Sequence, residues 1–339
     1  MLYGASEMFS IAPRSILRAG KREPRDRPVQ HARIGLDIGG TKTAGGLVLF
    51  PDGVVLARRV IPTRPNREGH EVLQDILDLA SDVIREAALM GHEVEGIGAG
   101  VAELVTGDGE ITSSQCIPWQ GLPIRQRLSQ LAPAVVEADV RAAALGEALY
   151  GAGREYDCFA YLTVGTGISY SLVQAGRPYA GAHGNALVLA SGPTTHVCAH
   201  CGQRSTVVLE DYASGPAIAR RYAARAGLDN VTGEDVIRAA NAGDPDAIDV
   251  ASSAGSALGC AVGFLVNLLD PQALVVGGGL GSCGGHYWQS FVESTRAHIW
   301  ADTSREVPML TAGLGPDAGI VGAAAACGRH RSPGSKELG

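Results

Sequence analysis

The sequence predicts an α/β protein built from two lobes. Each half of the 339-residue chain opens with an apolar strand that runs into a glycine-rich turn, "ARIGLDIGG" at residues 32–40 and "CFAYLTVGTG" at residues 158–167. The chain contains 46 glycines and only 5% aromatic residues, which favours glycine turns and small-residue contacts over an aromatic-rich β-sandwich. Two lobes with such turns facing each other predict a cleft for a nucleotide.

The first half of the chain alternates predicted strands and helices. "AGGLVLF" and "VVLARRVI" predict two strands joined by a turn at residues 51–53. "VEGIGAGVAELV" and "APAVVEAD" predict two more strands, and the second delivers Asp139 to the start of an alanine-rich helix. Apolar residues at spacings of three and four predict a helix that Gly91 ends: Val72, Ile76, Leu79, Val83 and Ala87.

The second half of the chain repeats this pattern of strands, glycine turns and helices. "CFAYLTV" and "ISYSLVQAGRPY" predict strands, and helices are expected over about residues 215–226 and 248–269, with Gly227 as the stop of the first. "ALVVGGGLG" predicts a strand that enters a third glycine turn, and "DAGIVGAAAACG" predicts a closing helix of small residues. The recurrence of one pattern in both halves indicates an internal duplication rather than a short-period repeat.

Composition and charge exclude several classes of protein. The net charge of −7 argues against a general nucleic-acid binder. No apolar stretch of about 18 residues is free of Gly, Pro or polar breaks, so no transmembrane helix is predicted. Seven scattered cysteines do not form a disulfide framework, which favours a reducing cytoplasm. Residues 1–31 are basic and lack a signal-peptide apolar region, so a disordered leader is expected.

The first glycine turn has the composition of a phosphate site. Asp37 at a strand end can hold hydrated Mg²⁺, and Gly39 and Gly40 let the backbone approach phosphate oxygens. Thr41 and Lys42 add a hydroxyl donor and a positive charge. The alternative is an ordinary hairpin turn.

Two further turns share this character. The second can wrap a phosphate from the opposite lobe, and the third can pass its backbone beneath a purine or a ribose. Either is also compatible with a purely structural strand-to-helix turn. The turns comprise Gly165, Thr166 and Gly167, and Gly277, Gly278 and Gly279.

Asp139 admits two interpretations. An Asp just before a helix can be an N-cap that accepts hydrogen bonds from free backbone N–H groups. It can also be a general base that takes the proton from an attacking hydroxyl. The residue alone does not separate these possibilities.

The order of these motifs resembles the ROK family of repressors, open reading frames and kinases, over residues 34–327. "LDIGGTK" and "VGTGIS" look like its two phosphate motifs, "ADVRAAALGE" is similar to the stretch with its catalytic Asp, and "LDPQALVVGGGL" resembles its adenosine segment. The resemblance implies a two-lobed, actin-like (RNase H-like) ATPase fold, with a mixed sheet flanked by helices in each lobe. It further implies MgATP as cofactor, Asp139 as catalytic base, and a homodimer. The expected lobes are residues 32–139 plus 312–329, and residues 140–311.

The expected sugar pocket departs from the family. Ala138 replaces an Asn, Gln115 and Cys116 stand where another Asn is expected, and Asn185 stands at the Glu of a Gly-Glu-x-Gly-His motif. Glu210, which closes the family's site, is retained. Because unmatched buried polar groups discriminate strongly between substrates, these changes favour a polyol other than glucose.

The zinc site of the family is also changed. The family has one His and three Cys ligands, but Val188 stands at the usual His and the third Cys is absent. "HVCAHCGQR" still offers His196, Cys198, His200 and Cys201. The two cysteines form a half-site that either His can complete, and the alternative is a loop with free thiols.

The sequence therefore predicts an ATP-dependent kinase that phosphorylates a primary hydroxyl of a sugar-like polyol. A C7-cyclitol or modified sugar of a biosynthetic pathway is the preferred substrate, and a hexose or aminosugar is the alternative. A ROK repressor carries about 70 residues of winged helix before its first motif, whereas 36 residues precede Asp37 here. The remaining alternative is a non-catalytic sugar-binding relative.

Overall fold

Two five-stranded mixed sheets carry the fold of this protein. The computed structural model describes residues 30–329, except for the side chain of His196. The predicted leader, residues 1–31, lies outside the described residues apart from its last two positions. His31 already belongs to the first strand.

The first sheet has the strand order β3-β2-β1-β4-β5. Strands β1, β2 and β3 pair antiparallel, whereas β4 and β5 run parallel to β1. The bounds are β1 His31–Ile38, β2 Lys42–Phe50, β3 Val54–Pro62, β4 Val94–Val101 and β5 Ala134–Ala138.

The second sheet repeats this topology, since its order is β12-β11-β6-β7-β8 and its β6 occupies the position of β1. Strands β6, β7 and β8 pair antiparallel, and β11 and β12 run parallel to β6. The predicted internal duplication and two-lobed α/β fold are therefore confirmed. A separate hairpin, formed by β9 and β10, lies in the chain between β8 and β11. The bounds are β6 Cys158–Val164, β7 Ile168–Gln174, β8 Arg177–Pro178, β9 Pro193–Val197, β10 Arg204–Val208, β11 Ala273–Gly277 and β12 Met309–Thr311.

Helices flank both sheets within the described residues. Their bounds are α1 Gly69–Leu89, α2 Ile124–Leu128, α3 Asp139–Tyr150, α4 Glu210–Ala213, α5 Gly215–Ala226, α6 Gly233–Asn241, α7 Pro245–Leu269, α8 Gly278–Gly281, α9 Gly285–His298, α10 Asp302–Arg305 and α11 Ala318–Arg329. The predicted apolar stripe of α1 is buried, and Gly91 follows its end with a φ of 81°. Gly227 adopts the left-handed conformation that ends α5, as its sequence position predicts.

Helix α7 has the length and apolar composition of a membrane span. The sequence analysis predicted no such span, because Gly, Ser and Asn residues interrupt the apolar residues of this stretch. Gly255, Gly259 and Gly263 face α9 so closely that a Cβ on Gly259 would lie 2.5 Å from the carbonyl oxygen of Phe291. This glycine face identifies α7 as a helix packed in the core against α9.

Helices α3 and α11 lie side by side against the first sheet. Glycines in the central strands let the helix backbone come close; a side chain at Gly98 would collide with the carbonyl group of Ala323 in α11. Helix α3 also contacts β7 and β8 of the second sheet. The lobe boundaries at residues 139/140 and 311/312 stay a prediction.

Candidate active site

Three acidic side chains meet where the parallel strands of the first sheet end. Asp37 is the penultimate residue of β1, Glu103 lies two residues beyond β4, and Asp139 directly follows β5. Because β1, β4 and β5 are parallel, their carboxyl ends share one edge of the sheet. Ligands of open α/β sheets bind at such an edge.

Asp37 has a carboxylate without a protein partner. Neither of its oxygens accepts a hydrogen bond from residues 30–329. Burial raises the pKa of Asp37 to about 6, against the lowering effect of the Lys42 and Arg58 charges. Gly319 of α11 makes room for this group, since a Cβ there would lie 2.5 Å from the carboxyl carbon of Asp37.

Asp139 is the first residue of α3, and Ala138 occupies the N-cap position. Asp139 therefore does not occupy the N-cap position itself, although it accepts from one free N–H group of the first turn. One oxygen, Oδ1, accepts a hydrogen bond from the Val140 N–H at 2.7 Å, and Oδ2 accepts none from the described residues. Burial and then the charge of Asp37 raise the pKa of Asp139 to about 7, while the Val140 hydrogen bond opposes the shift.

The first glycine turn is a tight connection between β1 and β2. The Gly39 N–H donates to the Lys42 carbonyl oxygen at 3.0 Å, and the Thr63 hydroxyl donates to the Gly39 carbonyl oxygen at 2.7 Å. The side chains of Thr41 and Lys42 are exposed at this turn. The backbone is thus fixed while the residues predicted to hold phosphate remain accessible.

Lys42 differs from nearly every other basic residue of the chain. Only three of the 28 Lys and Arg residues are lysines, and Lys42 is the only lysine within residues 30–329. Lysine presents a compact, freely rotating point charge, whereas arginine presents a planar fork. A lone lysine at this turn is a further signal for a phosphate contact, and counting the lysines of the sequence is enough to detect it.

The other two glycine turns meet at the carboxyl edge of the second sheet. The Gly165 N–H donates to the Gly167 carbonyl oxygen at 2.9 Å, which closes the turn after β6. A Cβ on Gly165 would lie 3.9 Å from the backbone nitrogen of Gly279, so the turn after β11 is its neighbour. Gly278 adopts a φ of 82°, in the region that favours glycine.

Glu210 links the second glycine turn to the surroundings of Cys116 through one carboxylate. Its Oε2 accepts a hydrogen bond from the Ile168 N–H at 2.7 Å and would lie 2.8 Å from a Cβ on Gly167. Its charge also contributes to raising the pKa of Cys116. The predicted substrate residue therefore lies against the phosphate turn of the second lobe.

Cys116 lies among the groups of both lobes. Burial, and then the charges of Glu103, Asp139 and Glu210, raise the pKa of its thiol to about 11. A Cβ on Gly40 would lie 3.7 Å from its sulfur. Cys116 thus marks the place where the first glycine turn, the catalytic candidate and the Glu210 side of the cleft come together.

Two of the predicted acceptor residues are exposed. Gln115 precedes Cys116 in the same loop, and Asn185 follows Gly184 in the loop between β8 and β9. Neither side chain makes a hydrogen bond to the described residues. Their amides are therefore free to meet a ligand, and their predicted substrate roles stay predictions.

Glu103 is a site residue that the sequence interpretation missed. It is 6% exposed, and its carboxylate accepts hydrogen bonds from the Ser113 hydroxyl and from the N–H groups of Gln115, Cys116 and Ile117. Its position just beyond an apolar strand is the same signal that singled out Asp139.

Arg141 is the second missed residue. It is 1% exposed and pairs with Glu137 at 2.5 Å. It also donates to the carbonyl oxygens of Gly184 and Val105, each at 2.6 Å. Arg141 therefore ties the loop that carries Asn185 to the helix that begins with Asp139.

A cavity of about 390 Å³ adjoins the third glycine turn. Its lining combines charged, amide and apolar groups of the second lobe. The lining residues are Glu234, Ile237, Arg238, Asn241, Gly279, Leu280 and Cys283.

Three of the predicted zinc ligands, Cys198, His200 and Cys201, lie in the turn of the β9–β10 hairpin, and His196 lies within β9. Cys198 and Cys201 are adjacent, and hydrogen bonds from the backbone of Cys201 and His200 lower the pKa of the Cys198 thiol. The described side chains assemble no group of three or more metal ligands, and the side chain of His196 lies outside them. Two thiols alone do not complete a zinc site, so the zinc prediction gains no support.

Comparison with known proteins places the chain in a family. The sequence model described as "ROK family" matches residues 33–329. A glucokinase from Streptomyces coelicolor is 30% identical over 311 residues, which cover 86% of this chain and 96% of that protein. A kanosamine kinase from Amycolatopsis mediterranei is 29% identical over 253 residues, which cover 73% of this chain and 80% of that protein.

A solved structure agrees with these relatives. The ROK family glucokinase from Streptomyces griseus, in complex with glucose and AMPPNP, has a TM-score of 0.77 and 30% identity, covering 88% of this chain and 99% of that chain. Fold and site thus define a phosphotransferase of the two-lobed, actin-like class, with an alcohol group as acceptor. The chain belongs to the ROK family.

Proposed function

We propose that this protein transfers the γ-phosphate of ATP to a primary hydroxyl of a sugar-like polyol, with Asp139 as the general base. The observation that carries the proposal is the environment of Asp139: a carboxylate with one unbonded oxygen and a pKa near 7, close to Asp37 and Cys116. General bases work best when their pKa lies near the operating pH.

The nucleotide is proposed to span both lobes. Phosphates would contact the backbone at Gly39 and Gly40 and the side chains of Thr41 and Lys42 from one side. The second turn, residues 165–167, would contact them from the other side. The third turn and the adjoining cavity would hold the adenosine. The AMPPNP bound by the Streptomyces griseus relative supports ATP as the donor.

Asp37 is the residue that would hold the Mg²⁺ of MgATP. Its largely buried carboxylate has no protein partner within residues 30–329, and carboxylate oxygens are the ligands this cation prefers. Bound magnesium supplies positive charge to the β- and γ-phosphates. The main contribution of the protein residues is then to position the two substrates for the transfer.

The proposed step has a simple balance of atoms. The acceptor oxygen attacks the γ-phosphorus in line and forms the new P–O bond, as the bond to the β–γ bridging oxygen breaks and ADP leaves. Asp139 Oδ2 accepts the proton of the acceptor hydroxyl. Lys42 neutralises part of the charge on the transferred group.

A C7-cyclitol or modified sugar is the proposed acceptor. Ala138, Cys116 and Asn185 stand where the family resemblance implies other polar groups, so the contacts that select glucose differ here. The kanosamine kinase relative and the three carboxylates around Cys116 favour an aminosugar as the second candidate, because an ammonium group would be attracted to them.

A coupled ADP-release assay tests the proposal. The purified protein would be offered MgATP and a panel of hexoses, aminosugars and C7-cyclitols, with mass spectrometry of the products. We expect acceptor-dependent ADP release with at least one polyol and a phosphomonoester product. Basal ATP hydrolysis alone with every acceptor would favour the non-catalytic alternative. Homodimer formation and a cytoplasmic location remain predictions that this assay does not address.

A further inference from the structure

Glu103 is the carboxylate that organises the loop carrying Gln115 and Cys116. Oε2 accepts from the Ser113 hydroxyl and from the Gln115 N–H at 2.9 Å. Oε1 accepts from the Cys116 N–H at 2.7 Å and from the Ile117 N–H at 2.8 Å. Four donors from one five-residue segment therefore converge on one side chain.

Apart from the burial of Ile117 in the core, this segment has no support from regular secondary structure. Between β4 and α2 the described residues form no strand or helix, apart from one isolated β-bridge between Val105 and Ile111. The Ser113 hydroxyl also accepts a hydrogen bond from the Leu104 N–H at 2.8 Å. Four hydrogen bonds from this segment end on one carboxyl group, so Glu103 is a main determinant of the conformation of the loop.

The segment forms a wall of the cleft. The Cys116 sulfur faces Gly40 of the phosphate turn, and its thiol is influenced by the charges of Asp139 and Glu210. The adjacent Gln115 side chain is exposed. A displacement of this wall would move the surface that faces an acceptor. The first glycine turn, which Gly40 brings against Cys116, is held separately by the Gly39–Lys42 and Thr63–Gly39 hydrogen bonds, and the second and third turns lie in the other lobe.

We propose that Glu103 is a positioning residue that fixes the wall formed by residues 113–117 and thereby sets the affinity for the acceptor, not for ATP. The proposal rests on the proposed kinase function. It assigns Glu103 no contact with substrate, because all four of its hydrogen bonds go to the protein.

Glu103→Gln is the sharpest variant for a test. It keeps the size of the side chain and one acceptor oxygen, but turns an NH₂ group toward two backbone or hydroxyl donors. Glu86→Gln is the matched control, because Glu86 lies on α1 and pairs with Arg59 at the surface. Both variants lose one negative charge, and only the first loses the loop contacts.

The first measurement is independent of activity. Hydrogen exchange of the peptide that spans residues 113–119 would be compared in wild type and both variants. We expect exchange in Glu103→Gln to be at least about tenfold faster at Gln115, Cys116 and Ile117, since each tenfold corresponds to about 1.4 kcal/mol of lost protection. Unchanged exchange would overturn the role of Glu103 in holding the loop.

The second measurement separates positioning from general destabilisation. With an acceptor found in the panel assay, Glu103→Gln should raise the acceptor KM by about tenfold and change the ATP KM by less than about twofold. Equal losses for both substrates, or faster exchange with unchanged kinetics, would reduce Glu103 to a structural residue. If wild type phosphorylates no acceptor, the proposed function fails. The inference about Glu103 is then tested by measuring the binding of ATP and of the panel polyols directly. Glu103→Gln should then weaken polyol binding alone, and a lack of polyol binding by wild type would overturn it.

Discussion

At the scale of single residues, the cleft is defined by two carboxyl groups whose pKa values lie well above the ordinary value. Asp37 and Asp139 both follow apolar strands, and burial raises the pKa of each by an amount that surface carboxylates do not show. The charge of Asp37 also makes ionisation of Asp139 less favourable. Such a pair costs folding free energy at neutral pH, which is typical of functional sites.

This cost predicts a pH-dependent effect of Asp139→Asn on stability. The folded-state pKa of about 7 exceeds the ordinary value of 3.8, so the stability associated with the neutral carboxyl is complete below about pH 4 and is lost as the pH rises through 7. The variant stays neutral at every pH. It should therefore exceed wild type in unfolding free energy by about 1–3 kcal/mol at pH 8, and by much less at pH 5.

Urea unfolding at both pH values measures this difference. Asp78→Asn, on the exposed face of α1, is the matched control and should show no such trend. A stability difference between wild type and Asp139→Asn that is the same at pH 5 and pH 8 would mean that Asp139 is not held in the proposed environment.

Gly319 predicts a second residue-scale effect. Gly319→Ala places a Cβ 2.5 Å from the carboxyl carbon of Asp37, so the carboxylate must move. Because alanine is favoured over glycine within helices by about 1 kcal/mol, the fold should tolerate the change. We expect kcat/KM to fall at least about tenfold. Gly107→Ala is the control, since a Cβ there meets nothing within 4 Å; equal activities of the two variants would contradict the role of Asp37.

Sequence predicts these residues unequally. Asp37 and Asp139 stand next to glycine turns or helix starts, so local patterns are sufficient to find them. Glu103 has the same position after a strand, but its partners lie 10 to 14 residues further along the chain. Its role depends on how that loop folds back, which no local pattern encodes.

At the scale of elements, the connections between the two sheets meet at one residue of α3. Glu147 is fully buried and accepts hydrogen bonds from the N–H groups of Ala152 at 2.7 Å, Gly313 at 2.9 Å and Leu314 at 2.8 Å. Ala152 begins the passage from α3 to β6, and residues 313–314 lead from β12 to α11. One carboxylate thus fixes both connections between the sheets.

Glu147→Gln should destabilise the protein because it weakens these two connections between the sheets. The amide leaves one of the three backbone donors facing an NH₂ group in the interior, at a cost of about 1–3 kcal/mol. Urea unfolding should show a lower midpoint than for Glu155→Gln, an exposed neighbour beyond the same helix. Identical midpoints for the two variants would show that the connections do not depend on Glu147.

Elements were the most predictable level of the structure. The apolar face of α1 and the glycine that ends α5, Gly227, are predicted by local sequence signals, and both are observed. Helix α7 begins three residues earlier than its apolar pattern suggested, because Asp244 caps it and Pro245 occupies its first turn. The β9–β10 hairpin was not predicted, since most of its described residues are exposed and show no alternation of burial.

At the scale of the whole molecule, one topology occurs twice. Each sheet presents the carboxyl ends of its parallel strands, and the glycine turns sit on those ends. The sequence predicts this duplication because both halves repeat a strand and a glycine turn. The acceptor remains a proposal, because its pocket combines loops from distant parts of the chain, and Arg141 and Gly184 illustrate how such loops join.

The account depends on Asp139 as the base of phosphoryl transfer in the shared cleft. Turnover of Asp139→Asn with an acceptor from the panel, together with ATP binding by calorimetry, tests it most directly. We predict loss of nearly all turnover with ATP affinity within about threefold of wild type, because general-base catalysis contributes roughly 10²–10⁴ in rate. Retention of more than about a tenth of wild-type turnover would contradict the assignment.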